Sequence, residues 1–202
     1  PDCYARFEKY FEGFELKWVE AKKHSHRGRA SGGMLLGIKK IPRIALNFHF
    51  EYVDERLVIT DKRYDRVMYI VPVYLNCNSW DRDFAELYEF LSSNYDESKD
   101  FMVMGDMNAR VGSKQLIPDE MNLDTEKYKL VRESKDPKSN SRGSSLLEMC
   151  EDFRLVILNG RCLGDTLGEV TFIGAMGVSV VDYCCSSPDV LGRIDSFCVL
   201  EY

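Results

Sequence analysis

The segment Phe101-Met-Val-Met-Gly-Asp-Met-Asn-Ala-Arg110 decides how the rest of the chain is read. Phe101 to Met104 is short and wholly apolar, which suits a strand buried on both faces, and Gly105 ends it. Asp106 and Asn108, two residues apart, project the same way at the strand's mouth. Clefts at strand ends are where α/β proteins place ligands. A carboxylate beside a carboxamide can orient an attacking water and hydrogen-bond a phosphate oxygen. The same two residues also suit a polar turn after a core strand. The pair alone leaves both readings open.

Outward from this strand the pattern is strand-rich with helices inserted. Upstream, Gly33 to Ile38, Arg43 to Phe50, Arg56 to Thr60 and Arg66 to Tyr74 are β-branched, aromatic or alternating, with turn-like Asp61 and Lys62 between the last two. They predict an antiparallel meander. A helix follows, capped by Asn78 or Ser79, with Trp80, Phe84, Leu87, Tyr88 and Leu91 on one face. Residues 113 to 143 are polar and mostly loop, with order expected around Tyr128 to Val131. Ser145 and Glu148 fit a capping box, so a second helix is predicted from Ser145, burying Leu146, Cys150 and Phe153. Strands are then predicted at Leu155 to Leu158, Val170 to Ile173, Val178 to Cys184 and Ile194 to Leu200. The fold class that results is α/β: two sheets packed together with helices outside.

Composition limits the function classes. The 202 residues carry 27 Lys+Arg against 33 Asp+Glu, a net charge of -6, and are 45% hydrophobic, enough for one domain with a sizeable core. No apolar run approaches the roughly 18 residues of a membrane span. Seven cysteines, odd in number and without paired zinc spacing, read as reduced thiols in an intracellular protein, many of them core fillers. Between Glu20 and Glu51 there is no acid, while Lys22, Lys23, Arg27, Arg29, Lys39, Lys40 and Arg43 give +7, leaving -13 for the remainder. A basic patch on an acidic chain suits a phosphate-facing surface and equally a solvated loop.

Gly105-Asp106-Met107-Asn108-Ala109 resembles the GDFNA signature of the endonuclease/exonuclease/phosphatase family, whose fold is that of deoxyribonuclease I and of abasic-site endonucleases. Val71 to Asn78 (VPVYLNCN) resembles the strand bearing that family's catalytic tyrosine, which falls on Tyr74. Gly168-Glu-Val-Thr171-Phe172 resembles its threonine-aromatic motif. Ser179-Val-Val-Asp182-Tyr183 resembles its S-x-I-D-[YH] motif. Arg29-Ala-Ser-Gly-Gly33 and Arg142-Gly-Ser-Ser-Leu-Leu147 resemble the endonuclease domains of non-LTR retrotransposons. The likeness runs over nearly the whole chain, with the motifs in order.

The resemblance implies a fold and a set of roles: a two-sheet deoxyribonuclease I-like α/β sandwich and a Mg²⁺-dependent phosphodiesterase, with Mn²⁺ as a possible substitute. Asp106 holds and deprotonates the attacking water, and Asn108 steadies both the water and the scissile phosphate. Tyr74 sets its hydroxyl against a phosphate oxygen, and Asp182 orients a catalytic histidine. Thr171, Ser179 and Asn78 are expected on the substrate side, with Lys22, Lys23, Arg27 and Arg29 on the phosphate backbone. The implied partner is DNA, nicked by a monomer in the nucleus, with no protein partner or membrane called for. A smaller phosphoester, or binding without catalysis, is the alternative.

The departures from the family pattern are as informative as the matches. The family's principal Mg²⁺ glutamate belongs upstream of Arg29 to Gly33, and Glu8, Glu12, Glu15 and Glu20 fall where the following loop should be. Its closing Ser-Asp-His belongs after the strand matched by Ile194 to Leu200. Residues 1–202 are therefore expected to be one domain incomplete at both termini, with weak activity and no metal ligand assigned within them. The usual Tyr-x-Pro-Asn is replaced by Tyr74-Leu75-Asn76-Cys77-Asn78, which makes Asn78 the substitute for the family's asparagine.

Overall fold

The computed structural model describes residues 8–21, 30, 32–96, 98–117, 121, 123–175 and 177–200. After a 3-10 turn at Lys9–Phe11, β1 (Phe14–Val19) pairs antiparallel with β2 (Met34–Lys39) as a two-stranded ribbon. A short helix α1 (Pro42–Ala45) leads to β3 (Phe48–Val53), β4 (Arg56–Asp61) and β5 (Val67–Tyr74). Helix α2 (Trp80–Asn94), β6 (Lys99–Asp106), α3 (Ser141–Asp152) and β7 (Val156–Ile157) follow. A second ribbon, β8 (Phe172–Gly174) with β9 (Gly177–Ser179), precedes β10 (Asp182–Ser186) and α4 (Pro188–Leu191). The central sheet has six strands in the order β3-β4-β5-β6-β10-β7. It is mixed: β5 and β6 are parallel and the other pairs antiparallel. The α/β class and the β3–β4–β5 part of the meander are as the sequence predicts, but β2, expected as its first strand, pairs with β1 in a separate ribbon instead.

Register explains which face is core. Val71, Val103, Cys185 and Ile157 lie at one level across four strands. They join Phe101, Val73 and Val58 under the apolar stripes of α2 (Leu87, Phe90, Leu91) and α3 (Leu146, Met149, Cys150). On the opposite face a second cluster of Tyr128, Val156, Leu158, Cys162, Cys184 and Leu191 covers the β10–β7 side. Its cover is irregular chain, fastened by two arginines that are 1% and 0% exposed, Arg132 and Arg161. Arg132 donates to the carbonyls of Lys114, Asn159 and Gly112. Arg161 donates to those of Ile157, Lys129, Leu130 and Gln115. The described residues between 113 and 140 are thus loop, as expected, but anchored.

Several expectations are corrected. Arg43 to Ala45 is helical: Pro42 stands in the first turn, where its fixed φ and missing N–H fit a helix start, so the strand begins only at Phe48. Phe101 to Met104 is not buried on both faces, since Met104 is 41% exposed on the face opposite the helices. Asp61 is no turn residue; it ends β4, fully buried, in a bidentate pair with Arg63 at 2.7–3.0 Å. Val178 to Cys184 breaks into β9 and β10, which belong to different sheets. The strands predicted near Val170 and Leu155 shrink to Phe172–Gly174 and Val156–Ile157. Ile194 to Leu200 joins no sheet among the described residues; Phe197 N–H donates to the Leu163 carbonyl at 2.8 Å, and Ile194 and Phe197 pack on the second cluster.

Helix α3 starts at Ser141, a turn before the predicted Ser145. Asn140 caps it, accepting from Gly143 N–H at 2.8 Å. The same side-chain oxygen takes Arg110 N–H (3.1 Å), and Asn140 N–H donates to Arg110 O (3.0 Å), so the helix start is laced to the chain after β6. Gly143 permits this approach, because a Cβ there would fall on the Arg110 carbonyl oxygen. We expect Gly143→Ala to cost about 3 kcal/mol of stability, as overpacking against backbone does. Asn140→Ala should cost about 1 kcal/mol, the usual value of a lost cap. Denaturant unfolding of the two variants measures the difference.

Candidate active site

Three strand ends meet at one level of the sheet. Tyr74 at the end of β5 and Asp182 at the start of β10 both pair with Asp106, the last residue of β6. Paired residues share a face, so the three side chains stand side by side on the face opposite α2 and α3. Met107 N–H donates to Val181 O at 2.9 Å, which makes Asp106 and Asp182 a non-hydrogen-bonded antiparallel pair. That is the type with the closest opposed side chains, about 4.5 Å between Cα atoms. Tyr74, Asp106 and Asp182 therefore stand together at one end of the sheet.

Glycine makes the convergence possible. Gly105 has φ 138°, and a Cβ on it would fall on the Val73 carbonyl oxygen, so only glycine lets β5 come this close beside Asp106. Beyond Asp106 the chain turns sharply: Asn108 adopts φ 44°, a left-handed conformation that asparagine tolerates. Its N–H donates to Asp106 Oδ1 at 2.9 Å. Its side-chain amide donates to Leu75 O at 2.8 Å and to Asp106 Oδ2 at 3.1 Å, while the Cys77 thiol donates to its Oδ1 at 3.0 Å. Both amide hydrogens are thus spent within the protein. In this arrangement Asn108 holds Asp106, and contact with a phosphate would require it to release one of these acceptors.

Charge follows geometry. Burial, and behind it the like charge of Asp182, pushes the Asp106 carboxyl above the usual carboxylate range against the two Asn108 hydrogen bonds. Burial also raises the Tyr74 phenol, with the nearby Asp106 carboxylate adding to it. A phenol so placed stays protonated at neutral pH and remains a donor.

Around this core the expected substrate-side residues divide. Thr171 Oγ1 accepts from the N–H groups of Val181 and Asp182 at 3.0 and 3.1 Å, so it supports β10 directly. Ser179 closes β9 and takes Thr171 N–H on its backbone carbonyl at 3.0 Å. Asn78 is exposed in the turn before α2, and Asn76 rather than Asn78 lines the cleft beside Tyr74. Lys22, Lys23, Arg27 and Arg29 fall outside the described residues. Both stems of their segment are described, however: Val19, Glu20, Gly32 and Met34 line a cleft of about 350 Å³ with Tyr74, Asn76 and the α2 residues Arg82, Asp83 and Glu86, a cleft that adjoins Tyr74 but is not lined by Asp106 or Asp182. His49 lies exposed on β3, as the strand reading implies.

Four further residues shape the site beyond those the sequence marks for it. Asn159, 1% exposed, binds the backbone of Asp182 and Cys184. Trp80 is a core residue by its helical spacing, yet its indole N–H donates to Met107 O at 2.7 Å and fixes the turn after β6. Arg142 lies over the Trp80 ring at 5.5 Å and donates to Cys77 O at 2.9 Å. Cys77 closes the circuit through Asn108. For Trp80 a signal existed, since a buried indole N–H needs an acceptor; for the others the partners are distant in sequence.

Among the described residues, no group of three His, Cys, Asp or Glu side chains is placed to hold a metal ion. No described helix is long and apolar enough to cross a membrane. The fold is similar to that of a solved structure described as the endonuclease domain of TRAS1, a telomere-specific non-LTR retrotransposon. The likeness has a TM-score of 0.54 at 16% identity and covers 91% of this chain and 69% of that one. At this identity it shows the fold, a deoxyribonuclease I-like α/β arrangement. No family model matches the chain, and no curated protein matches it.

Trp80→Phe removes one buried hydrogen bond while keeping the stack on Phe84, whose ring centroid lies 4.6 Å away. It should cost about 1–2 kcal/mol, chiefly from the orphaned Met107 carbonyl. It should also speed amide exchange at Asn108 relative to the core strands, which hydrogen-exchange NMR reads directly.

Proposed function

We propose that this chain is a phosphodiesterase acting on DNA, of the retrotransposon-endonuclease kind. The observation that supports it best is the alignment of Tyr74, Asp106 and Asp182 at one level on three neighbouring strands, with Asn108 fixing the middle carboxylate. Asp106 takes a proton from a water that attacks phosphorus in line, and the leaving 3′-oxygen departs opposite. Tyr74 donates to a non-bridging phosphate oxygen. Asp182 raises the proton affinity of Asp106, which brings that carboxylate closer to the strength a general base needs near neutral pH.

Mg²⁺, with Mn²⁺ as substitute, is the proposed cofactor and the part that the described residues fit least. Two carboxylates and an engaged carboxamide fall short of the near-octahedral oxygen shell that Mg²⁺ demands. When bound, such an ion supplies charge neutralisation on the phosphate. The chain is accordingly proposed to nick weakly as a monomer, and to work in the nucleus if chromosomal DNA is its substrate. The basic 22–29 segment, whose stems border the cleft at Tyr74, is proposed to meet the phosphate backbone.

Plasmid nicking with added Mg²⁺ tests the reading. Weak conversion of supercoiled to open-circle DNA, abolished by Asp106→Ala, is the expected result. Robust nicking that survives Asp106→Ala overturns it, and hydrolysis of nucleotides or phosphoinositides in preference to plasmid replaces DNA with a smaller phosphoester. Because the raised Asp106 carboxyl must lose its proton to act, the rate should climb with pH through a midpoint above the ordinary value of about 3.9. Asp182→Asn should move that midpoint down. DNA affinity should fall steeply with salt, and reversing charge at Lys22, Lys23 and Arg27 should lessen the log–log slope by about one for every phosphate no longer neutralised.

A further inference from the structure

The backbone ladder has a gap at Asp182. In an antiparallel strand the N–H and C=O of one residue point to the same side. Asp182 is a non-hydrogen-bonded partner of Asp106, so both its groups point away from β6, towards the line that β7 would occupy. But β7 is only Val156–Ile157, paired with Ser186 and Cys185. Its last contribution is Leu158 N–H to Cys184 O at 2.8 Å. The chain then turns away at Asn159 and Gly160, the glycine at φ 73° with its missing Cβ where the Glu133 carbonyl oxygen sits. Among the described residues, no main-chain strand reaches Asp182 from that side.

Two side chains take the place of that strand. Asn159 Nδ2 donates to Asp182 O at 3.1 Å, while its Oδ1 accepts from Cys184 N–H at 3.0 Å. One carboxamide thereby imitates one peptide unit of a neighbouring strand. At the other end of the residue, Thr171 Oγ1 accepts from Asp182 N–H at 3.1 Å. Asn159 is itself pinned: it is 1% exposed, and its carbonyl takes a hydrogen bond from Arg132 Nη1 at 3.1 Å. An amide with both ends engaged and its backbone held has no other rotamer to move into without orphaning a buried group.

We propose that Asn159 is a positioning residue which, with Thr171, grips the peptide group of Asp182 and so keeps its carboxylate opposed to Asp106. The proposal rests on the reading of Asp106 and Asp182 as one functional pair. A merely structural Asn159 would satisfy two backbone groups and have no bearing on that pair. A positioning Asn159 couples to it, because Asp182 begins its strand and would be free to turn its side chain aside once the grip is gone.

The test reads the pair without requiring catalysis. The Asp106 carboxyl is titrated by ¹³C NMR in the 202-residue chain and in Asp182→Asn, Asn159→Ala and the double variant. Asp182→Asn should lower the Asp106 midpoint, since a like charge beside it is removed. Asn159→Ala should lower it by at least about half as much, and the double variant should go no lower than Asp182→Asn alone. An Asp106 midpoint unmoved in a folded Asn159→Ala protein, with Asp182→Asn still effective, overturns the positioning role and leaves the pair standing. No response to Asp182→Asn instead overturns the pair. Should Asn159→Ala fail to fold, Asn159→Ser and the isosteric Thr171→Val decide by the same criterion.

Discussion

A slip of one residue along Lys99–Asp106 would undo both the core and the site. Phe101 and Val103 would leave the helix-covered face, forfeiting roughly 1.5–3 kcal/mol of burial each, and Met102 and Met104 would enter it. The same slip would turn Asp106 towards the helices and away from Tyr74 and Asp182. The alignment of the polar cluster is therefore held by apolar residues a few positions back on the same strand. The chemistry at the strand's mouth has no independent means of setting its register. It inherits the register from packing, and Gly105 is the one place where the two demands meet, since any side chain there would push β5 off β6.

The polar shell around that alignment is built from long-range partners. Asn108 reaches Leu75, Cys77 reaches Asn108, Arg142 reaches Cys77 and Trp80 reaches Met107, so the segments 74–80, 106–108 and 142 close on one another. On the far side Thr171 and Asn159 hold Asp182. Each of these contacts joins a loop or a strand end to another or to the first turn of a helix, where backbone pairing has run out and side chains must answer for the remaining N–H and C=O groups.

This division accounts for what the sequence discloses. The β3–β4–β5 meander, the α2 stripe and the strand leading to Asp106 follow from periodicity, which reports local burial. The convergence of Tyr74, Asp106 and Asp182 was legible through motif order at the ends of strands. Periodicity misled at Arg43 to Phe50, where Pro42 outweighed alternation, and at Ile194 to Leu200, where an apolar run packs without a strand partner among the described residues. Ser145 satisfied a capping-box pattern, but Asn140 had better tertiary support through Arg110. Asn159 was invisible for a simpler reason: Asn-Gly after a strand is an ordinary turn signal, and nothing local says which backbone its amide will hold.

The arginines beneath the irregular layer have a consequence for how the molecule can come apart. Arg161 draws on carbonyls from three separate stretches, at 115, 129–130 and 157, and Arg132 on three more carbonyls from two of the same stretches, at 112, 114 and 159. Detaching any one stretch strips hydrogen bonds from a cation that water does not reach. Partial opening of the loop is for that reason nearly as costly as opening the layer entirely. A segment that looks like the part most apt to fray is bound into the same cooperative unit as the sheet edge it covers, and should be lost with that edge in a single step.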